Sequence, residues 1–444
     1  MARRRLTLGA LARPILLIVA VLLLTAPAAE AATQRYAGPN GTMTTGCTDP
    51  NQPCDLASAF SQAQANDEVV IETGDYGSPG TPLTTPIVST TAGLDVHGED
   101  GKPRPRIFGA TTAADTSVLD LSGSGVHLRH VEIHQLGTAL RPVALTFDGA
   151  QASDVVAIAT ATTSQNRGCV LLGNSVLTNS VCEATGDQGT AIFPYRVTGS
   201  PLANTSTIRN VTALAPGHLG LGILALGGSG AGDAQSLTVT NTIIVVPSAR
   251  PAIDANKQVG GADTKITIDH SNFGFQGSEN GGQIVKGAGN QQLVGAPKFV
   301  ATGDYHIAAG SMTIDQGADD PANGSTDIDG NTRTLGQATD MGADEFVPPP
   351  VVTTGAADSV TQTSGVVHGT VNPERLDTSY HFEYGASTGY GTSSPSVGAG
   401  AGTSDVPVNA TLTGLSPGTT YHYRLVATNP GGSTPGADMT FTTQ

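Results

Sequence analysis

The 444-residue sequence predicts an all-β protein, a parallel β-solenoid followed by a β-sandwich, on three observations. The composition is turn-rich, with 57 Gly, no Trp, 13% charged residues and 4% aromatic residues. A short β-forming motif ending in Asn or His returns about every thirty residues through the middle of the chain. Beyond a run of prolines near residue 350, the pattern changes to strict two-residue alternation. The length allows two or three domains. Sparse Glu, Lys and Leu exclude a long coiled coil. With 21 basic against 37 acidic residues and no basic cluster in its body, the chain is a poor partner for nucleic acid.

Residues 1–32 read as a secretory signal. Arg3, Arg4, Arg5 and Arg13 supply a basic start, Ile15–Leu24 an apolar run, and Ala29-Glu30-Ala31 a small-residue cleavage site. The run is shorter than the ~20 residues a membrane span needs, so the mature chain is expected to lack a transmembrane segment. Removing four Arg and one Glu with the signal leaves 17 basic and 36 acidic residues, a formal charge of −19. The expected location is secreted, with non-covalent attachment to a cell surface as a variant. The four cysteines come as two close pairs, Cys47 with Cys54 and Cys169 with Cys182. In an exported chain, local pairing into two disulfides is the simplest reading. Neither pair has the C-x-x-C spacing of a metal site.

The first element after the signal is a short helix. Asp55 is a suitable N-cap, and Leu56, Ala59, Phe60 and Ala63 recur at helical spacing. Glu68–Glu72 follows as a strand that stops at Gly74-Asp75-Tyr76. One helix leading into a strand-rich region suits a cap over the end of a solenoid.

The repeat is carried by VHLRHVEI, VLTNSV, TIRNVTA, LTVTNTI and ITIDHS, whose polar residues are His130, Asn179, Asn210, Asn241 and His270. The steps between them are 49, 31, 31 and 29 residues, the signature of stacked units. Inward apolar positions shift parity across the polar residue: Leu128 and Ile208 before it, Val131 with Ile133 and Val211 with Ala213 after it. Strict alternation does not shift in that way, so a corner sits there. Asn tolerates the left-handed backbone a corner needs. Stacked corner asparagines bonding to one another explain the ladder without a ligand. Gly- and Ala-rich stretches such as residues 227–232 are expected to project as loops.

The segment DLASAFSQAQANDEVVIETGDY resembles the start of the right-handed parallel β-helix proteins of the pectate lyase superfamily. The segment GDYHIAAGSMTIDQGADDPANGSTDIDGNTRTLGQATDMGADEF is similar to the terminal block of bacterial choice-of-anchor Q proteins, at about residues 297–346. That resemblance rests on Asp327, Asp329, Gly330 and Arg333, then Asp340, Gly342, Ala343 and Glu345. The match departs at Met312, Thr313 and Asp344. Together the two resemblances imply a right-handed β-helix over residues 33–346. Residues 347–351, VPPPV, form a stiff linker. Residues 352–444 then alternate as strands, and Leu415–Tyr421 resembles the tyrosine corner of a fibronectin type III domain, with Tyr421 bonding back across the turn. The Trp usual in such domains is missing.

The chemistry is less legible. Residues 315–345 hold eight carboxylates and one Arg. Asp327, Asp329 and Asn331 offer oxygens to calcium, a hard cation. The segment is not an EF-hand loop, because Gly330 comes too early and position twelve is Ala338. The alternative is structural, with the carboxylates accepting backbone hydrogen bonds and pairing with Arg333 to terminate the coil. His127, His130 and His134 lie close enough in sequence to suggest zinc, but the corner at His130 reads as surface geometry. Glycan cleavage needs paired acids, or an acid with a cation and a base. The acids are scattered, at Asp120, Glu132, Asp148, Asp154, Glu183, Asp187, Asp254 and Asp269. Stacked rungs can bring such residues together. His218 and Arg250 are weak catalytic candidates, and Tyr76, Tyr195 and Tyr305 are candidate sugar-stacking residues. The long faces of a solenoid suit an extended polymer, so the expected partner is an extracellular polysaccharide or cell-wall component. The leading expectation is a non-catalytic, adhesin-like protein, and the alternative is a polysaccharide lyase or glycoside hydrolase acting on an acidic or plant-type glycan. A wall that gathers two or more acids with a basic residue in a groove is the feature that tells the two apart.

Overall fold

Asp55 caps the helix Leu56–Gln62, its carboxylate accepting the Ser58 amide at 2.8 Å, and Leu56, Ala59 and Phe60 are buried. The computed structural model describes residues 32–160, 165–195, 204–230, 234–258, 261, 263–277, 281–293, 295 and 297–444. The expected signal sequence, up to residue 31, and part of the expected 227–232 loop lie outside the described residues. Residues Thr33–Gln444 cluster as one compact unit. No helix among the described residues is long and apolar enough to cross a membrane.

The first ladder stacks ten strands in chain order from Gln34–Ala37 to Gln283–Lys286, and the second stacks eight, from Ile87–Ser89 to Phe275–Gln276. Every pairing along both ladders is parallel. The middle strands of the first ladder bend. His130, Asn179, Asn210, Asn241 and His270 all adopt left-handed backbone, with φ between 39° and 58°. Asp154, at φ 54°, is a sixth corner and divides the long 49-residue step into 24 and 25. Asp shares Asn's tolerance of this conformation, so a carboxylate occupies the corner position that Asn or His holds in the other coils.

Each coil therefore has a wall before the corner, a second wall after it and a third on the second ladder. The inward positions stack in register. Val96, Leu128, Ala152, Leu177, Ile208, Val239 and Ile268 form the first-wall column. Leu119, Leu145, Cys169, Ile192, Ile223 and Ile253 form the third-wall column. The Cys169–Cys182 disulfide crosses the interior between the third and second walls, both residues fully buried. Cys47–Cys54 closes the segment before the helix. Both expected disulfides are present.

Residues 297–346 lie along the outside of the second wall. Ile328 and Ala343 pack on Val156 and Val181, and Ile307 and Met341 pack on Ile243. The Gly342 amide bonds the Asn241 carbonyl at 2.8 Å, and the Ala343 amide bonds Thr212 Oγ1 at 3.1 Å. The block thus covers a flank of the coil, a different place from the end that it was expected to terminate. After Pro348–Pro350, two antiparallel sheets of three and six strands pack around Val367, Phe382, Tyr423 and Leu425. Tyr421 Oη accepts the Ser416 amide at 3.0 Å.

Candidate functional site

The third wall carries a groove built from outward residues of successive rungs. Asp120, Thr146, Val170 and Phe193 form one outward column in register. The next contains Asp148 beside Leu172, then Tyr195 beside Leu226. Rungs repeat every ~4.8 Å, so these columns run along the coil axis. Val143, Val170 and Phe193, with Leu172, Tyr195, Leu224 and Leu226, form an apolar cluster separate from the coil interior. Phe193 and Tyr195 stack with ring centroids 5.6 Å apart and an interplanar angle of 11°. The Arg167 guanidinium lies 4.1 Å from the Phe193 centroid, a cation–π contact.

Charge borders this stripe. Asp115 accepts from both Arg141 and Arg167, the latter at 3.0 Å. Asp115, Asp120, Arg141, Arg167, Phe193 and Tyr195 are among the residues lining a groove of about 520 Å³. A second hollow of about 320 Å³ shares Arg167 and Phe193 with it and reaches Gln188 and Arg250. Burial raises the Asp120 carboxyl, against the Ser122 hydroxyl that donates to it at 2.5 Å. Burial also raises Asp148, and the neighbouring Asp120 charge adds to the effect. Farther along, burial raises Asp254, which faces Arg250. A platform of this kind can stack sugar rings on its aromatic and aliphatic carbons while acids and arginines bond hydroxyls or carboxylates.

The other sequence candidates lie elsewhere. Asp327 is 2% exposed, and its two oxygens accept the Asp329, Asn331 and Glu345 amides and the Asn331 side-chain amide, all at 2.8–3.2 Å. Asp329 turns away toward His306 Nε2, at 2.8 Å. Asp327, Asp329 and Asn331 therefore do not direct free oxygens at one point. Arg333 is buried and donates to the carbonyls of Gly342 and Ala343 and to Asn179 Oδ1, at 2.8–3.1 Å. Its hydrogen-bond partners are these rather than the expected carboxylates. His127, His130 and His134 do not converge: His130 bonds Asp154 at 2.6 Å, His134 bonds Glu132 at 2.5 Å, and His127 is exposed. His218 is exposed in the turn after residue 215. Tyr76 is buried, its hydroxyl on the Ala37 carbonyl, and Tyr305, itself in the 297–346 block, packs on the cluster of Val156, Val181, Ile328 and Ala343. Of the three tyrosines only Tyr195 lines the groove. Sequence reasoning missed Phe193, Arg141 and Arg167; the alternation Phe193-Pro194-Tyr195 was the one local signal for the aromatic pair.

No described protein family matches the chain, and no curated protein matches it significantly. Among solved structures, it is similar to the pectate lyase Pel9A, with 13% identity over 70% of this chain and 96% of that one and a TM-score of 0.36. It is also similar to the sensor domain of the anti-sigma factor RsgI4 of Pseudobacteroides cellulosolvens, with 24% identity over 22% of this chain and 96% of that one and a TM-score of 0.18. A third is the enzymatically active domain of tailspike protein 4 of bacteriophage CBA120, with 12% identity over 87% of this chain and 66% of that one and a TM-score of 0.20. Likeness at this level carries no activity or ligand to the present chain.

Proposed function

We propose that this is an exported protein that holds an extracellular polysaccharide along the third wall of its coil, in an adhesin-like role. The observation that carries the reading is the apolar stripe from Val170 to Leu226, with the stacked Phe193–Tyr195 pair bordered by Arg141 and Arg167. The basic, apolar start of the sequence and the two disulfides support export. In this reading residues 33–346 are a right-handed β-helix ending in a choice-of-anchor Q-type block, and residues 352–444 are a fibronectin type III module acting as spacer or docking unit.

A second reading, cleavage of the bound glycan, is favoured by one feature. Asp120 and Asp148 stand on neighbouring rungs at one end of the stripe, and Asp120 lines the groove together with Arg141 and Arg167. One raised carboxyl can donate a proton while the other carries charge. The two readings separate in one experiment. The exported chain is incubated with a panel of acidic and neutral polysaccharides, with and without calcium, and retention is measured beside mass spectrometry of the supernatant. Retention without products, lost in Tyr195→Ala, is expected. Released oligosaccharides that vanish in Asp120→Asn would establish the cleaving role, and neither retention nor products would overturn both.

A further inference from the structure

His306, Asp329 and Asp344 come from three separate turns of the 297–346 block, yet each is aimed at the same place. One donor atom from each, a ring nitrogen of His306 and a carboxylate oxygen of each Asp, lies within 4.8 Å of the others. Each is held by a bond that leaves its donor directed. Asp304 Oδ1 accepts both the His306 amide, at 2.9 Å, and His306 Nδ1, which commits that nitrogen and turns Nε2 toward Asp329. Asp344 Oδ2 accepts the Ile307 amide at 2.7 Å and so fixes its carboxylate beside the ring. Asp329 sits on the tight turn that Asp327 pins through two amides.

We propose that these three side chains form a binding site for a zinc-class divalent metal. Protein ligands ~2.0–2.2 Å from zinc in a tetrahedron stand ~3.3–3.6 Å apart, so an ion would part the 2.8 Å His306–Asp329 pair and draw in any separation near the 4.8 Å limit. The donor set, one imidazole nitrogen and two carboxylate oxygens, suits zinc and its neighbours, whereas calcium prefers oxygen alone. Three protein ligands leave the fourth position to water or another ligand. Asp304 bonded to the far nitrogen of His306 is the carboxylate–histidine–metal relay that fixes ring orientation and raises ligand basicity. The partial exposure of His306 and Asp329, 38% and 29%, gives an ion a route in. Arg104 bonds Asp154 and stands 4.0 Å from Asp329.

The test is calorimetric titration of the metal-stripped full chain with Zn²⁺ and, separately, with Ca²⁺. One equivalent of Zn²⁺ is expected, with binding lost in His306→Asn and in Asp344→Asn, and weakened about 10–100-fold in Asp304→Asn. Asp344→Asn keeps an acceptor for the Ile307 amide, and thermal melts of the metal-free variants verify that they remain folded. Co²⁺ replacing Zn²⁺ should give the visible absorption of a tetrahedral site in the parent and none in His306→Asn. Absence of zinc binding, zinc binding unchanged in both His306→Asn and Asp344→Asn, or calcium binding as tight as zinc binding would each overturn the proposal. With ten histidines in the chain, the variants separate this site from adventitious binding elsewhere.

Discussion

Asp120 lies in an outward column of the third wall, between Val88 and Thr146. Burial disfavours its charged form, so its carboxyl holds a proton to higher pH in the folded chain than in the unfolded one. Its effect on stability is therefore absent below the unfolded value, near ~4, and grows as a penalty while pH rises through the folded value. Asp120→Asn is expected to stabilise the protein against urea at pH 7.5 and to change nothing at pH 3.5. A destabilised variant at pH 7.5 would mean that the carboxylate is held by an interaction stronger than its bond to Ser122. Stabilisation at a site that lines a groove is the usual sign of a residue placed for function. The residue types of this site were present in the sequence, but their company was not. Asp120 and Asp148 are 28 positions apart and meet only through strand register, whereas Cys47 and Cys54 are close enough for the chain itself to suggest their pairing. Asp327 misled for a related reason. Its spacing from Asp329 and Asn331 suits a cation, yet the amides of its own turn reach its oxygens first.

At the scale of the element, the corners carry the fold. Asn210 Nδ2 donates to Asn179 Oδ1 at 3.1 Å, and Asn241 Nδ2 donates to Asn210 Oδ1 at 3.0 Å, so the corners of three coils form one ladder. Asn323 of the terminal block joins it, its carbonyl accepting from both Asn179 and Asn210. Asn210 is fully buried at φ 52°, so a substitution there strikes backbone and bonding together. Asn210→Ala should cost ~1–2 kcal/mol for the left-handed backbone and a further ~1–3 kcal/mol for partners left unpaired. Asn210→Gly removes the first cost only, so urea denaturation should place it roughly 1 kcal/mol above Asn210→Ala. Equal stability of the two variants would show that the corner conformation carries no strain. The ladder was legible because Asn repeats near thirty residues and the apolar parity shifts across it. The terminal block's resting place was not legible. Asn179 meets Asn323 across 144 positions, and Arg333 reaches Asn179 across 154. No local pattern encodes a loop-rich segment folding back along a flank.

On the scale of the whole molecule, apolar packing is divided between two large cores. The coil interior runs from Ala37 to Ile284, the sandwich core runs from Val367 to Phe441, and they share no residue. The terminal block belongs with the coil, because Ile328 and Ala343 bury Val156 and Val181 while Met341 buries Ile243. Among the described residues, a few hydrogen bonds join the sandwich to the rest. Arg375 donates to the carbonyls of Leu335, at 3.1 Å, and Gly336, and Asn429 Nδ2 donates to the Pro348 carbonyl at 3.0 Å. A few hydrogen bonds of this kind contribute on the order of 1 kcal/mol each. Two unequal deletions should therefore behave oppositely. Removing residues 351–444 should leave the coil folded, its melting temperature within about 4 °C of the parent's. Polysaccharide retention should survive as well, since the third-wall groove takes no residue from the sandwich. Removing residues 297–444 strips Val156, Val181 and Ile243 of their cover and takes three donors from the asparagine ladder's surroundings, and it should leave a coil that aggregates or melts far below the parent. Calorimetry of the intact chain should accordingly resolve two transitions, and the one that vanishes with residues 351–444 belongs to the sandwich. A single transition that shifts by tens of degrees on the shorter deletion would mean that the polar seam couples the two cores, and the sandwich would then be a structural part of the coil.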